Sequence, residues 1–387
     1  MSLIEFSFFV VLLCVVNNYF IYPLVIITIS IFRNNAYNNS EYEPAVSILI
    51  SAYNEEKVIR ERISNIENQN YNFSKLEVLI GSDCSIDNTN KILEELSISR
   101  DWLKVFVFEK RQGKAAVINN LIKHAQNEIL VFTDANTKFN PDAIRKLVSP
   151  YVNSKIGGVC GKLVLTENES NLSEGVEEKK YWLLETFLKK AEGKLGILIG
   201  ANGGIFSIRK ELFSCIPIDK AVTDDFFLSL SVLQKDFDFI YVENAIAFEQ
   251  VAKNIKQEFN RKVRFIATNF QTLSFFKNLI LKKGFLISYA FLSHKVLRWF
   301  LPIQLILIFC FNLILINAHS FYIYTLLFQI VLYFFGLIGF LLSKVKVRLF
   351  IFSLPYFFII TNIALLFGMI RFLRKRHSVI WESTMRY

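Results

Sequence analysis

Acidic side chains recur in this sequence where a buried strand would end. The run "VFTDANT" places Asp134 directly after the apolar residues Ile129 to Phe132. A carboxylate at the tip of a buried strand is a hard oxygen ligand of the kind Mg²⁺ or Mn²⁺ prefers. Two other strand-like runs finish on acids, "SAYNEE" with Glu55 and "GSDCSID" with Asp83 and Asp87. A further stretch, "KRQGKAAVINN", gathers Lys110, Arg111 and Lys114 around Gly113 where a helix should begin. Free amides and the positive end of a helix dipole suit phosphate, and a lysine adds a point charge. Acids that hold a divalent cation beside a base that holds phosphate together describe a nucleotide diphosphate site. The competing account is local: Asn54, Ser85 and Asp87 are ordinary helix-capping residues, and a basic turn is usually just solvated.

The elements that must position these groups follow from apolar patterning. Strands are expected at Val46–Ala52, Leu76–Ser82, Leu103–Phe108, Ile129–Thr133 and Gly157–Leu165, with helical segments between them. This βαβα alternation predicts an α/β domain with a parallel sheet covered on both faces. In such sheets ligands bind beyond the carboxyl ends of the strands, so the acidic tips should face one crevice.

The chain as a whole is too apolar for a soluble domain alone: of 387 residues, 53% are hydrophobic and 39 are phenylalanine. A bilayer span needs roughly 20 apolar residues. Leu3–Phe32, Phe300–Asn317, Phe321–Leu342 and Leu349–Ile370 meet that length. The first reads as a retained anchor, lacking the basic start and small-residue cleavage site of a signal peptide. Five scattered cysteines fit reduced thiols in a cytosolic domain. The net charge of +10 comes from bases between Lys253 and Lys283 and beside the later spans, which points to anionic membrane lipids and away from nucleic acid. Four full spans would leave Lys344, Lys346 and Arg348 on the cytosolic side but send Arg371, Arg374, Lys375 and Arg376 outside. One later stretch is therefore expected to be re-entrant or interfacial, with Pro355 a place for a break.

From Val46 to about Phe265 the chain resembles glycosyltransferase family 2, the inverting GT-A enzymes that include membrane-embedded cellulose, hyaluronan and poly-N-acetylglucosamine synthases. The resemblance is carried by "VSILISAYNEE", "GSDCSIDNT", "QGK", "FTDANT", "GANGGIFSIRKELF", "VTDDFFLSLSV" and "EFNRKVRF" in that order. It implies a GT-A (nucleotide-diphospho-sugar transferase, Rossmann-like) domain with flanking transmembrane helices. The organisation expected is an anchor over 1–33, a cytosolic catalytic domain over 43–250, amphipathic interfacial helices over 251–299, transmembrane helices over 300–371 and a basic tail over 372–387.

Residue by residue, the resemblance implies that Tyr53 and Glu55 line the nucleotide pocket, that Asp83 meets the uracil or ribose, and that Lys114 approaches the uracil or phosphates. Asp134 matches the first acid of the family's Asp-x-Asp motif and would meet Mg²⁺ or Mn²⁺ on the donor diphosphate. Asn136 departs from the second acid; its amide oxygen still coordinates a hard cation but brings no charge. Asp225 of "VTDD" takes the place of the general base, the alternative being that Thr223 caps a helix whose first turn carries both acids. Gly200, Ala201 and Asn202 of "GANGG" would let backbone approach the acceptor, or form a plain turn.

Phe259, Val263, Ile266, Phe270 and Leu273 recur at helical spacing among basic residues, as in a helix lying in the membrane interface or, alternatively, a buried one. On it, Arg264 matches the arginine of the synthases' Gln-x-x-Arg-Trp motif and would stabilise the leaving diphosphate. Arg261 stands for the glutamine, and Phe265, at the acceptor side, for the tryptophan. The expected activity is transfer from a nucleotide-sugar donor, a UDP-sugar, to a hydroxyl of a glycan or lipid-linked acceptor in envelope polysaccharide synthesis, with envelope-assembly proteins as partners. The location expected is the cell membrane, multi-pass, with the catalytic domain cytoplasmic. The alternatives are a processive synthase that extrudes its own polymer and a catalytically inactive membrane scaffold.

Overall fold

A computed structural model describes residues 1–33, 42–166, 176–250, 255–282, 284–345, 347 and 349–375. Lys253, Lys283, Lys346, Arg348 and the part of the basic tail from Arg376 onward lie outside the described residues. The centre of the fold is a sheet of strands β1 (Val46–Ala52), β2 (Leu76–Asp83), β3 (Leu103–Phe108), β4 (Ile129–Phe132), β5 (Lys138–Phe139), β6 (Ile156–Thr166), β7 (Phe206–Arg209) and β8 (Asp238–Gln250). Their order across the sheet is β3-β2-β1-β4-β7-β6-β8-β5.

The half β3-β2-β1-β4 is parallel, as the alternation of strands and helices predicts. The other half corrects the expectation of a parallel sheet: β7 runs antiparallel between β4 and β6, and β5 is antiparallel to β8, so the sheet is mixed. Both faces are covered. Along β1, Val46, Ile48 and Ile50 point into one apolar cluster with Ile59, Ile63, Val78 and Leu93. Leu49 points the other way, into a cluster with Val117, Leu121, Phe206 and Phe226. That second cluster also takes in Tyr22, Ile26, Trp299 and Met369, so apolar helices from both ends of the chain pack on this face of the domain.

Among the described residues, three helices are long and apolar enough to cross a membrane: Leu3–Ile31, Ser320–Lys344 and Phe350–Leu373. A fourth candidate is a pair, Phe285–Trp299 and Leu301–Ile314, bent by 67° at their junction. The break therefore falls beside Pro302 and not at Pro355, which sits inside the continuous Phe350–Leu373 helix. Close packing supports that helix around its proline: Gly339 approaches the Phe352 carbonyl so closely that a Cβ would stand 2.3 Å from it. Two π-helical turns, Asn17–Ile21 in the first long helix and Phe291–Val296 in the bent pair, face each other through Asn17, whose amide donates to Ser293 Oγ at 2.9 Å.

The helix Ile255–Leu273 does not lie on the domain unaccompanied. Gly368 of the last helix approaches it within 2.7 Å of Ile266 Cβ, measured from where its own Cβ would be, and Phe270 stacks on Phe372 with ring centroids 5.6 Å apart. Ile266 and Phe270 are buried, whereas Phe265 is exposed.

Candidate active site

Because β1, β2 and β4 are parallel, their carboxyl ends Ala52, Asp83 and Phe132 reach the same edge of the sheet. The loops after β1 and β2 are sewn together there. Asn54 and Cys84 adopt positive φ, 54° and 59°, which turns the chain sharply at each tip. The Asn54 amide donates to Ser85 Oγ at 3.1 Å, and Asn54 Oδ1 accepts the Ile86 amide at 2.9 Å. Asp87 accepts the amides of Thr89 and Glu56, at 3.0 and 3.2 Å. Of the three suspected caps, then, only Asp87 serves the following helix, and it also ties that helix to the β1 loop. Glu55 lies in the same loop, its amide donating to Thr89 Oγ1 at 2.8 Å.

Asp83 is buried at the end of β2 and accepts the amides of Gln112 and Gly113, one on each oxygen, at 2.8 and 2.9 Å. These bonds fix the turn in which Gly113, at φ +88°, opens the helix Lys114–Ile122. Arg111 of that turn lies over the Tyr53 ring, its guanidinium carbon 3.5 Å from the centroid. The β1, β2 and "QGK" segments thus form one rigid rim around the crevice.

Lys114 projects from that rim and joins two acids from distant parts of the chain. Its Nζ lies 2.8 Å from Asp134 Oδ1 and 2.9 Å from Asp224 Oδ2. Burial alone would lower the ammonium, but Asp134 and Asp224 more than reverse this and hold it above its usual value. Asp225 follows in the first turn of the helix Asp224–Gln234 and accepts the Phe226 amide at 2.7 Å. Burial pushes its carboxyl up and Asp224 pushes it further. Lys114, the Phe226 amide and Lys189 only partly oppose them, so Asp225 titrates at about 7 instead of 3.8.

Thr223 occupies the cap position of that helix, yet its side chain makes no capping bond. Its hydroxyl instead pairs with Thr268 Oγ1 at 2.7 Å and donates to Asn269 Oδ1 at 2.8 Å, joining the Asp224–Asp225 turn to the helix Ile255–Leu273. Arg264 lies one turn before Thr268, whose hydroxyl donates to the Arg264 carbonyl at 3.2 Å. Burial, then the charges of Arg261 and Arg371, lower the Arg264 guanidinium to about 10. Arg261 and Arg264 both lie over the exposed Phe265 ring, at 5.5 and 5.6 Å.

The glycine loop closes the other side. Gly200 has φ +96°, and a Cβ on Gly203 would stand only 3.1 Å from Asp225 Oδ2, so the loop backbone runs against the acid. Asn202 faces inward: its amide donates to the Gly161 carbonyl at 2.8 Å and its oxygen accepts from Lys189. Ala201 packs against the core. The loop therefore offers backbone to the crevice.

As protein ligands for a cation, the described residues supply no cluster of three or more His, Cys, Asp or Glu. Asp134 is nonetheless a suitable hard donor, and half-buried Asn136 follows two residues on. Mg²⁺ or Mn²⁺ fits here as an ion held by Asp134 together with oxygen atoms brought by a ligand. Two contributors escaped the sequence reading. Lys189 is buried beside Asn202, and Arg62 is buried with its guanidinium 3.0 Å from Thr133 Oγ1, next to Asp134. Each is one charge among several on its helix, Arg62 after Arg60 and Glu61 and Lys189 before Lys190, so no local pattern singles out the buried one.

Residues 47–216 match the model of the family described as glycosyl transferase family 2. Over that stretch the chain is similar to family 2 glycosyltransferases. The match stops short of Asp225. The domain is 27% identical over 246 residues to "Probable glycosyltransferase YdaM" of Bacillus subtilis, covering 60% of this chain and 56% of that protein. It is 24% identical over 222 residues to a poly-beta-1,6-N-acetyl-D-glucosamine synthase of Staphylococcus epidermidis, covering 57% and 53%. It is 32% identical over 191 residues to a beta-monoglucosyldiacylglycerol synthase of Nostoc sp., covering 48% and 40%. The chain thus spans about half the length of these relatives. Among solved structures, the mannosyltransferase PcManGT of Pyrobaculum calidifontis, in complex with GDP-Man and Mn²⁺, superposes with a TM-score of 0.68 at 18% identity, covering 96% of this chain and 99% of that one. That likeness extends the shared fold beyond the matched stretch to the flanking helices.

Proposed function

We propose that this chain is a membrane-bound inverting glycosyltransferase that moves a sugar from a nucleotide diphosphate donor, a UDP-sugar, to a hydroxyl of a glycan or lipid-linked acceptor. The observation that carries the reading is the Asp134–Lys114–Asp224 bridge with Asp225 beside it. A lysine ammonium and a carboxyl with a raised pKa in one crevice at the carboxyl edge of a parallel half-sheet support reading them as a phosphate-binding cation and a base. Relatives whose names describe a polysaccharide synthase and a glycolipid synthase are consistent with a sugar acceptor or a lipid acceptor.

In this reading the acceptor hydroxyl lies against the Gly200–Gly204 backbone with its O–H donating to the Asp225 carboxylate. Asp225 takes that proton as the acceptor oxygen forms its bond to the anomeric carbon from the face opposite the nucleotide. A carboxylate with a pKa near the working pH is well matched to that transfer. The bond to the diphosphate oxygen breaks in the same step, and the product has inverted configuration. Lys114 and Arg264 stabilise the charge that grows on the leaving diphosphate. A divalent ion held by Asp134, with Asn136 nearby, would supply Lewis-acid neutralisation of that diphosphate. Tyr53, Glu55 and Asp83 line or shape the nucleoside side of the crevice.

The decisive experiment is nucleotide release by the purified protein in lipid discs, screened with UDP-glucose, UDP-galactose, UDP-N-acetylglucosamine and GDP-mannose with and without Mn²⁺. Metal-dependent release with at least one donor is expected. No release with any of them, although the protein is folded, would refute the enzymatic reading and leave a scaffold.

A further inference from the structure

Behind the glycine loop lies a buried ionic cluster that the transfer reaction does not use. Glu185 and Glu192, on the helix Val176–Lys194, flank His294 of the bent helix pair. His294 Nδ1 lies 2.5 Å from Glu192 Oε1 and its Nε2 lies 2.9 Å from Glu185 Oε1. Lys295 and Arg298 reach Glu185 at 2.9 and 3.2 Å. From the N-terminal long helix, Tyr22 donates its hydroxyl to Glu192 Oε1. His294, Glu192 and Tyr22 are all at most 1% exposed.

Three features make this more than a structural ion pair. First, the cluster lies where the two π-helical turns meet, and π-turns cost backbone regularity that a sequence retains mainly at functional positions. Second, both ring nitrogens of His294 face carboxylate oxygens. An ionised carboxylate only accepts hydrogen bonds, so both nitrogens must donate, and only the imidazolium can do that. Burial would raise both carboxyls, but His294 and Lys295 hold them below their usual range, in keeping with ionised partners. Third, the cluster ends on the glycine loop: Glu192 Oε2 accepts the Ile199 amide at 3.1 Å, and a Cβ on Gly200 would stand 3.8 Å from Lys295 Cε. The same helix carries Lys189, which holds Asn202 at the loop's other end.

We infer that His294 is a positioning residue for the Ile199–Asn202 loop: fixed as an imidazolium between Glu185 and Glu192, it sets the carboxylate that ties down the Ile199 amide, and through Tyr22 it makes the N-terminal helix part of the acceptor side of the site. This rests on the reading in which that loop meets the acceptor. It gives the first long helix a role beyond anchoring.

The test uses the full chain, labelled with ¹⁵N-histidine, in phosphatidylcholine discs. The chain has four histidines, and His294→Asn assigns the signal in question. His294 is expected to show both ring nitrogens protonated, as two carboxylate acceptors require. A neutral-tautomer spectrum would overturn the inference. Hydrogen exchange is the second readout. Tyr22→Phe and His294→Asn should each speed exchange in the peptide carrying Ile199 by about tenfold, equivalent to about 1.4 kcal/mol, with β1 and β2 peptides unchanged. His294→Lys, which keeps a cation between the carboxylates, should restore part of the protection. Acceleration spread equally over all peptides would reduce the cluster to a general stability element, and no acceleration in Tyr22→Phe would detach the N-terminal helix from the loop. Neither readout involves transfer, so a failed donor screen would sink the proposed function while leaving these results to stand or fall separately.

Discussion

Replacing Asp225 by Asn should make the protein more stable while removing its activity. In the folded protein Asp225 titrates at about 7 instead of 3.8, through burial and the neighbouring charge of Asp224. A raised folded-state value means that folding favours the protonated form. The stability it contributes is full below about pH 3.8, is lost as pH rises through about 7, and above that the ionised carboxylate is a net cost. Such a displacement corresponds to about 4 kcal/mol at most, and partial exposure of the group reduces that to about 1 to 3 kcal/mol. The Asn side chain keeps the oxygen that accepts the Phe226 amide and carries no charge at any pH. Its unfolding midpoint should therefore exceed that of the unmodified protein by several degrees at pH 8 and converge with it at about pH 4. Loss of the base should lower transfer by about 10² to 10⁴ fold, with donor binding retained. Thermal scans at both pH values, paired with nucleotide release and donor titration, check each part. A variant that turns over normally, or one whose stability gain is independent of pH, would refute both the base assignment and the electrostatic origin of its displacement.

Lys114→Met should remove a cation that touches both Asp134 and Asp224, raising the Asp225 titration above about 7 and moving the acidic limb of the kcat/KM profile to higher pH. An unshifted limb would show that the lysine does not tune the base. Asn136→Asp adds a charge beside Asp134 and should tighten Mn²⁺ dependence by about tenfold, whereas Asp134→Ala should abolish it; equal Mn²⁺ titrations in all three proteins would remove both residues from the cation site. Gly203→Ala places a methyl 3.1 Å from Asp225 Oδ2, so activity should fall by about tenfold or more with little change in the unfolding midpoint.

What could be read in advance tracks how local the signal is. β1 and β3 begin and end where the apolar runs do, because each run is bounded by turn residues and packs as a strand core. β7 was not anticipated as a strand: Phe206–Arg209 is four residues long and follows directly on a glycine motif. Its antiparallel pairing with β4 joins residues far apart in the chain, and nothing in either segment records it. The site divides in the same way. Asp134, Lys114 and Asp225 stand out because each belongs to a motif. The ionic bridge that unites them was invisible, since Asp224 meets Lys114 only after the sheet has formed. His294 and Glu192 are 102 positions apart; Glu192 is one of many charges on its helix and His294 stands next to Lys295, so neither is marked until the fold brings them together.

The charge balance of the crevice gives a reason for cation dependence that does not draw on any relative. Asp134, Asp224 and ionised Asp225 place three negative charges around the ammonium of Lys114; Arg62 beside Asp134 and Lys189 near Asp225 offset part of that excess from behind, with Arg111 and Arg264 at the margins. A nucleotide diphosphate is itself an anion, and in a partly buried cleft with reduced dielectric its approach to such a group is opposed by several kcal/mol for each close like-charge pair. Protonating Asp225 relieves only part of this, and it also disables the base. With a divalent cation held by Asp134, about two charges would be offset, Lys114 would be free of Asp134 to meet phosphate, and Asp225 could ionise. Donor affinity should accordingly fall as pH rises through about 7 when Mn²⁺ is withheld, and become nearly independent of pH when it is supplied. Isothermal titration with UDP across that range decides the matter, because an affinity equally insensitive to pH with and without Mn²⁺ would mean that the diphosphate binds away from these carboxylates.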